Sequence, residues 1–211
     1  MNHVYADDNV IVVFKPAGIE TTSKTTPNTL EKQVGAFAVH RLDVNTEGLV
    51  IFAKTELAKK ELEDAFKNGN VHKTYIALCF GKLKTGPITL GGYLTKDATK
   101  GEVKITKNRT AGALPVETQI RTLPCGIPDK NFCVIEAKPI TGRTHQIRAH
   151  LASIGVSIAG DAKYGDFGLN KMYGYKKQCL CAVKLEFSFP AASPLAYLNK
   201  KHFEARPTFG Y

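Results

Sequence analysis

At 211 residues, with 43% hydrophobic and 23% charged residues, the chain has the size and balance of one globular unit, and no apolar run approaches the roughly 20 residues that span a bilayer. The opening Met1-Asn2-His3-Val4-Tyr5 carries neither a basic start nor an apolar stretch, so no secretory leader is read there and cytoplasmic residence is expected. The formal charge of +10 favours a polyanionic partner, nucleic acid first, while five cysteines without a C-x-x-C pair fit reduced thiols better than a disulfide framework or a zinc knuckle.

Val10 to Phe14 is a short β-branched run closed by Lys15-Pro16-Ala17-Gly18, which reads as a strand and a turn. Gly48 to Ala53 reads as a second strand. Thr55 then offers an N-cap, and Ala58, Leu62, Ala65 and Phe66 recur on one face before Asn68-Gly69, so the spacing predicts a helix over 56–68. From His72 to Phe80 the chain alternates, placing Thr74, Ile76, Leu78 and Phe80 on one face and Lys73, Tyr75, Ala77 and Cys79 on the other. The Gly-, Thr-, Pro- and Lys-rich stretch from 82 to about 130 predicts hairpins and loops rather than a core of its own.

Phe132 to Lys138 predicts another strand, Thr144 to Ile154 a helix with Ile147, Leu151 and Ile154 inward, and Cys179 to Phe189 a late strand. On that last strand Cys179 and Cys181 keep the period of Val183, Leu185 and Phe187, which marks a buried face and not a metal clamp. Strands outnumber helices and do not alternate with them regularly, so the fold class is α+β around a mixed, largely antiparallel sheet. Residues 1–211 are expected to form a single domain. The tail beyond Phe189, with Lys200, Lys201, His202 and Arg206, reads as solvated.

Two polar clusters combine charge with glycine at element boundaries, where scaffold-held loops carry function. One is His40-Arg41-Leu42-Asp43-Val44-Asn45-Thr46-Glu47-Gly48, although an Asp in such a turn also serves simply to bond nearby backbone amides. The other is Thr141-Gly142-Arg143-Thr144-His145-Gln146-Ile147-Arg148-Ala149-His150, running from a strand end into a helix. Arg148 lies at the edge of the apolar stripe, and a half-buried arginine needs a carboxylate partner. His145 and His150 are about 140° apart on a helix and do not face one metal together.

The two clusters resemble the paired signatures of the RluA-type pseudouridine synthases, H-R-L-D-x-x-T-S-G and T-G-R-T-H-Q-I-R-x-H-L. The second is matched from Thr141 through Leu151 and continues into Gly160-Asp161-Ala162-Lys163-Tyr164-Gly165. Asp8 to Gly18 is similar to the family's opening motif, and Lys73-Thr74-Tyr75-Ile76-Ala77 to its K-x-Y-x-A strand, so the likeness covers nearly the whole chain. Glu47 stands where members commonly carry Ser, and its carboxylate, four residues from Asp43, is expected to raise that group's pKa.

The resemblance implies an RNA isomerase that converts uridine to pseudouridine, with Asp43 as catalytic carboxylate, Arg148 as its salt-bridge partner and Tyr75 as the ring that stacks on the uracil. It implies no cofactor and no metal. Arg41, beside Asp43, is suited to fill the gap left by a flipped base, and Arg143, His40, Lys73 and the lysines at 96, 100, 104 and 107 are candidates for RNA contact. The expected partner is a stem-loop of ribosomal or transfer RNA, bound by a monomer without a separate N-terminal RNA-binding domain. Two other readings remain: a catalytically silent RNA-binding or chaperone module of the same fold, and a nucleotide hydrolase that would need a second acid or a metal-ligand cluster near Asp43.

Overall fold

The computed structural model describes residues 2–83, 86–97, 99 and 101–211. The chain gathers into two compact units, residues 1–73 with 181–208 and residues 74–180 with 209–211.

In the first unit β1 (Asn2–Ala6) turns back into β2 (Val10–Lys15), the turn closed by the Asp7 carboxylate, which accepts from the backbone N–H of Asn9 and Val10 at 2.8 Å each. After α1 (Leu30–Val34) and the short β3 (Phe37–Ala38), β4 (Glu47–Ala53) pairs antiparallel with β2 from Val10↔Ala53 to Lys15↔Gly48. All of β4 is buried, as its continuous apolar run requires of a strand covered on both faces. The predicted helix forms as α2 (Glu56–Lys67), capped by Thr55 Oγ1, which accepts from the Ala58 N–H at 3.1 Å. It buries Ala58, Leu62 and Ala65 against Val10, Val12, Leu49 and Ile51, with Phe66 half-buried at the margin.

The second unit begins in β5 (Val71–Phe80) and continues through β6 (Ile88–Asp97), β7 (Glu102–Thr106), β8 (Leu114–Leu123) and β9 (Phe132–Pro139). These lie in the order β5-β9-β8-β6-β7 and pair antiparallel throughout. The described part of the stretch from 82 to 130 thus forms the expected hairpins, with long strands whose Leu94, Val103 and Val116 close on Ala149 from outside the stretch. Its apolar residues were too widely spaced to show this until strand pairing stacked them. The predicted helix is α3 (Gln146–Ser153), and every residue from Gln146 to Leu151 is buried. Ile154, expected inward, is 38% exposed because the helix ends before it. The short β10 (Ser157–Ile158) pairs with β5, and α4 (Phe167–Tyr173) follows.

The chain then returns to the first unit as β11 (Leu180–Phe187), parallel to β4 at Cys181↔Glu47 and Ala182↔Gly48. Gly48 has φ +119°, and a Cβ there would lie 2.3 Å from the Ala182 carbonyl oxygen, so only glycine fits this crossing. A 3-10 turn (Ala196–Lys200) and β12 (Phe203–Glu204) on β11 complete the unit. No helix among the described residues is long and apolar enough to cross a membrane.

Candidate active site

Asp43 lies half-buried in the loop that leads into β4, and the backbone on both sides of it is tied down. Leu42 is buried; its N–H donates to Thr21 Oγ1 at 3.2 Å, and that hydroxyl donates back to the Leu42 carbonyl at 3.3 Å. The Val44 carbonyl accepts from the Gly18 N–H at 2.8 Å and from the Lys15 ammonium at 2.9 Å. Thr46 N–H closes the turn on the Asp43 carbonyl at 3.0 Å.

Lys15, which in the sequence reads only as part of a turn, closes the same loop from inside. Its side chain is fully buried, yet its three donors are all used, on the carbonyls of Pro16 (3.0 Å), Ile19 (2.8 Å) and Val44 (2.9 Å). Burial pushes its pKa down to about 8 against the opposing pull of Asp43 and Glu47. The signal available in the sequence was a lysine directly after a buried strand and before Pro-Ala-Gly, where a charged side chain with no exit to solvent must find backbone acceptors.

Glu47 opens β4 and is 5% exposed. Its carboxylate accepts from the Thr208 N–H at 2.7 Å and the Thr208 hydroxyl at 2.6 Å, which fastens the C-terminal segment to the start of the strand. Burial and the adjoining Glu47 carboxylate push the Cys181 thiol well up. The group that stands where a serine was expected thus serves the chain's own tail.

His40 and Lys73, both expected at the RNA, pack on Phe66. His40 Nε2 accepts from the Ile51 N–H at 3.0 Å, its ring stacks on Phe66 at 4.5 Å, and burial, with the Lys73 charge nearby, pushes its pKa down to about 3. A neutral ring that accepts through Nε2 carries its proton on Nδ1. The Lys73 ammonium lies over the same Phe66 ring at 5.6 Å, and burial lowers its pKa. Arg41 is exposed.

In the second unit the Thr141–His150 run is held by side-chain hydrogen bonds. The buried Gln146 side chain uses all its capacity: Oε1 accepts from Thr141 Oγ1 (2.7 Å) and the Arg143 N–H (3.0 Å), while Nε2 donates to the Glu117 carbonyl (2.8 Å) and Thr118 Oγ1 (2.9 Å). This pins the loop and the first turn of α3 to β8. His150 Nδ1 bonds Thr118 Oγ1 at 2.8 Å, and burial pushes its pKa down to about 4. His145 precedes the helix at φ +52°, and it is the non-glycine residue at positive φ among the described residues, a conformation that costs about 1–2 kcal/mol.

Arg148 is 6% exposed, and its guanidinium is forked by Asp161, Nε to Oδ2 at 2.7 Å and Nη2 to Oδ1 at 2.9 Å. Asp161 Oδ1 also accepts from the backbone N–H of Lys163 and Tyr164 at 2.9 and 3.1 Å. Burial alone would raise the Asp161 pKa, but the Arg148 bond and charge outweigh it and hold it below the ordinary carboxylate value. Asp161 was visible in the sequence as part of Gly160-Asp161-Ala162, without any indication of its partner. Tyr75 is 7% exposed on β5 opposite Ala137. Arg143 is exposed, as are Lys96, Lys104 and Lys107, while Lys100 lies outside the described residues. Among the described residues no three His, Cys, Asp or Glu side chains cluster to hold a metal ion.

Residues 9–153 match the family model described as RNA pseudouridylate synthase. A ribosomal large subunit pseudouridine synthase C from Rickettsia bellii is 36% identical over 193 residues, covering 82% of this chain and 59% of the relative. An uncharacterized RNA pseudouridine synthase from Bacillus subtilis is 30% identical over 211 residues, covering 91% and 65%. The chain therefore spans less than two thirds of the length of these curated relatives. The solved structure of human RNA pseudouridylate synthase domain containing 1 superposes with a TM-score of 0.78 at 25% identity, covering 97% of this chain and 81% of that one.

Proposed function

We propose, since the chain belongs to the RNA pseudouridylate synthase family, that it isomerises uridine to pseudouridine in structured RNA with Asp43 as the catalytic carboxylate. The observation that carries this reading is the clamped loop: Leu42 and Val44 are held by Thr21, Gly18 and Lys15, so the backbone that bears Asp43 is fixed before any substrate arrives. The reaction breaks the bond between uracil N1 and ribose C1′, turns the base, joins C5 to C1′, and releases the C5 proton to water while N1 takes one up, so that product and substrate are isomers. It is redox-neutral and needs no cofactor. An ionised carboxylate serves by adding to C1′ or by taking the C2′ proton, and Asp43 is the acting group on either route.

Arg148 is read as the group that keeps Asp43 ionised and oriented, a role supported by the matched motif and by its own fixed orientation against Asp161. Tyr75 is read as the ring that stacks on the extruded uracil. Arg41 fills the vacated position in the helix, and the exposed Arg143, Lys96, Lys104 and Lys107 contact phosphates. His40 and Lys73 support the loop from behind through Phe66. We read the protein as a cytoplasmic monomer that acts as one catalytic domain without metal. The target class favoured is large-subunit ribosomal RNA, for which the Rickettsia relative is named; transfer RNA is the alternative.

Release of tritium from RNA labelled at C5 of uracil tests the proposal, because only migration of the glycosidic bond to C5 frees that atom. Release from ribosomal RNA and not transfer RNA is the expected result. Binding of both RNAs without release from either would favour a catalytically silent RNA-binding module.

A further inference from the structure

One side chain in the second unit touches Arg148, the strained helix start at His145 and the β6–β7 hairpin at once. The ring of Tyr164 packs under the Arg148 guanidinium, 5.1 Å from its centroid, on the residue whose other donors are forked by Asp161. Its hydroxyl accepts from the Val103 N–H of β7 at 2.7 Å and lies 3.0 Å from His145 Nδ1, with the two rings edge to face at 5.6 Å. A hydroxyl that takes the Val103 proton has its own to give, so a neutral His145 accepts it at Nδ1. The neighbouring Lys163 ammonium donates to the Gly101 carbonyl at the hairpin tip at 3.3 Å. The apolar side of the same hairpin, Leu94 and Val103, packs on Ala149, the residue after Arg148.

A surface tyrosine needs none of these contacts to be stable, and a left-handed His145 persists only where its surroundings over-determine it. We propose that Tyr164 is a positioning residue: anchored by hydroxyl to the β6–β7 hairpin and to His145, it fixes the plane of the Arg148 guanidinium. The hairpin exposes Lys96, Lys104 and Lys107, so RNA phosphates gripped there bear on Arg148 through one ring and one hydroxyl. The inference rests on reading Arg148 as part of the active site.

The test is Tyr164→Phe in the full chain, which keeps the ring and deletes both hydroxyl bonds. In tritium release the single-turnover rate falls by about 10- to 100-fold, the scale of a small misplacement of a catalytic group, while KM for RNA and the melting temperature stay near those of wild type. In the 15N-labelled protein the Arg148 Nε–H resonance shifts or broadens. A wild-type rate, a loss confined to KM, or an unmoved Arg148 resonance overturns the proposal. Absence of release from wild type would instead overturn the isomerase reading, and the Arg148 resonance would still decide the role of Tyr164.

Discussion

Replacing Asp161 by Asn removes one charge from an almost completely buried pair while keeping its shape. The side chains are 0% and 7% exposed, so water does not reach the gap, and Arg148 loses the carboxylate that forks its guanidinium. Asp161 accepts four hydrogen bonds, two from the guanidinium and two from Lys163 and Tyr164 N–H groups. An amide oxygen in the Oδ1 position keeps three of these and aims its NH2 at the fourth donor, Arg148 Nε–H. Breaking a buried pair from one side costs about 3–5 kcal/mol. For a chain of this size that lowers the melting temperature by roughly 6–20 °C. The pH dependence has a definite sign: the folded Asp161 pKa lies below the ordinary value, so the wild-type advantage is complete above about pH 4 and is lost as pH falls through the folded pKa. Urea unfolding of both proteins across that range is the assay. A variant within about 1 kcal/mol of wild type at neutral pH, or a difference undiminished near pH 2, would refute the reasoning.

Lys15→Met leaves the Pro16 and Ile19 carbonyls without a donor and Val44 with the Gly18 N–H alone, and even after relief of the buried cation a loss of about 3 kcal/mol is expected by urea unfolding, with tritium release falling further than stability alone explains because the Asp43 loop loses part of its clamp. Acid sensitivity should appear well above carboxylate titration. His150 has a folded pKa of about 4 and His40 of about 3, so between pH 6.5 and 4 the unfolded chain binds protons the folded one refuses, and stability falls on acidification. His150 alone contributes about 3 kcal/mol to that fall, and a His150→Gln variant should show a shallower slope.

The α2 helix, the β2 and β4 strands and both polar clusters were legible in the sequence because each is a local pattern: a cap with 3.6-residue spacing, a β-branched run, or a charged motif beside glycine. What escaped depends on contacts distant in the chain. Lys15 reads as a turn lysine until Val44, 29 residues on, supplies a third carbonyl. Asp161 is an ordinary acidic residue until α3 brings Arg148 to it. Glu47 was read against Asp43, its neighbour in sequence, whereas its hydrogen bonds go to Thr208, 161 residues away. The hairpins from 88 to 123 hid their core because each strand supplies only one or two apolar residues to it.

The measurement that bears most directly on the central claim compares wild type with Asp43→Asn, measuring tritium release and RNA binding on the same labelled ribosomal RNA. Release from wild type, together with retained binding and no release by the variant, is the predicted result. Continued release by Asp43→Asn would contradict the assignment of the catalytic carboxylate.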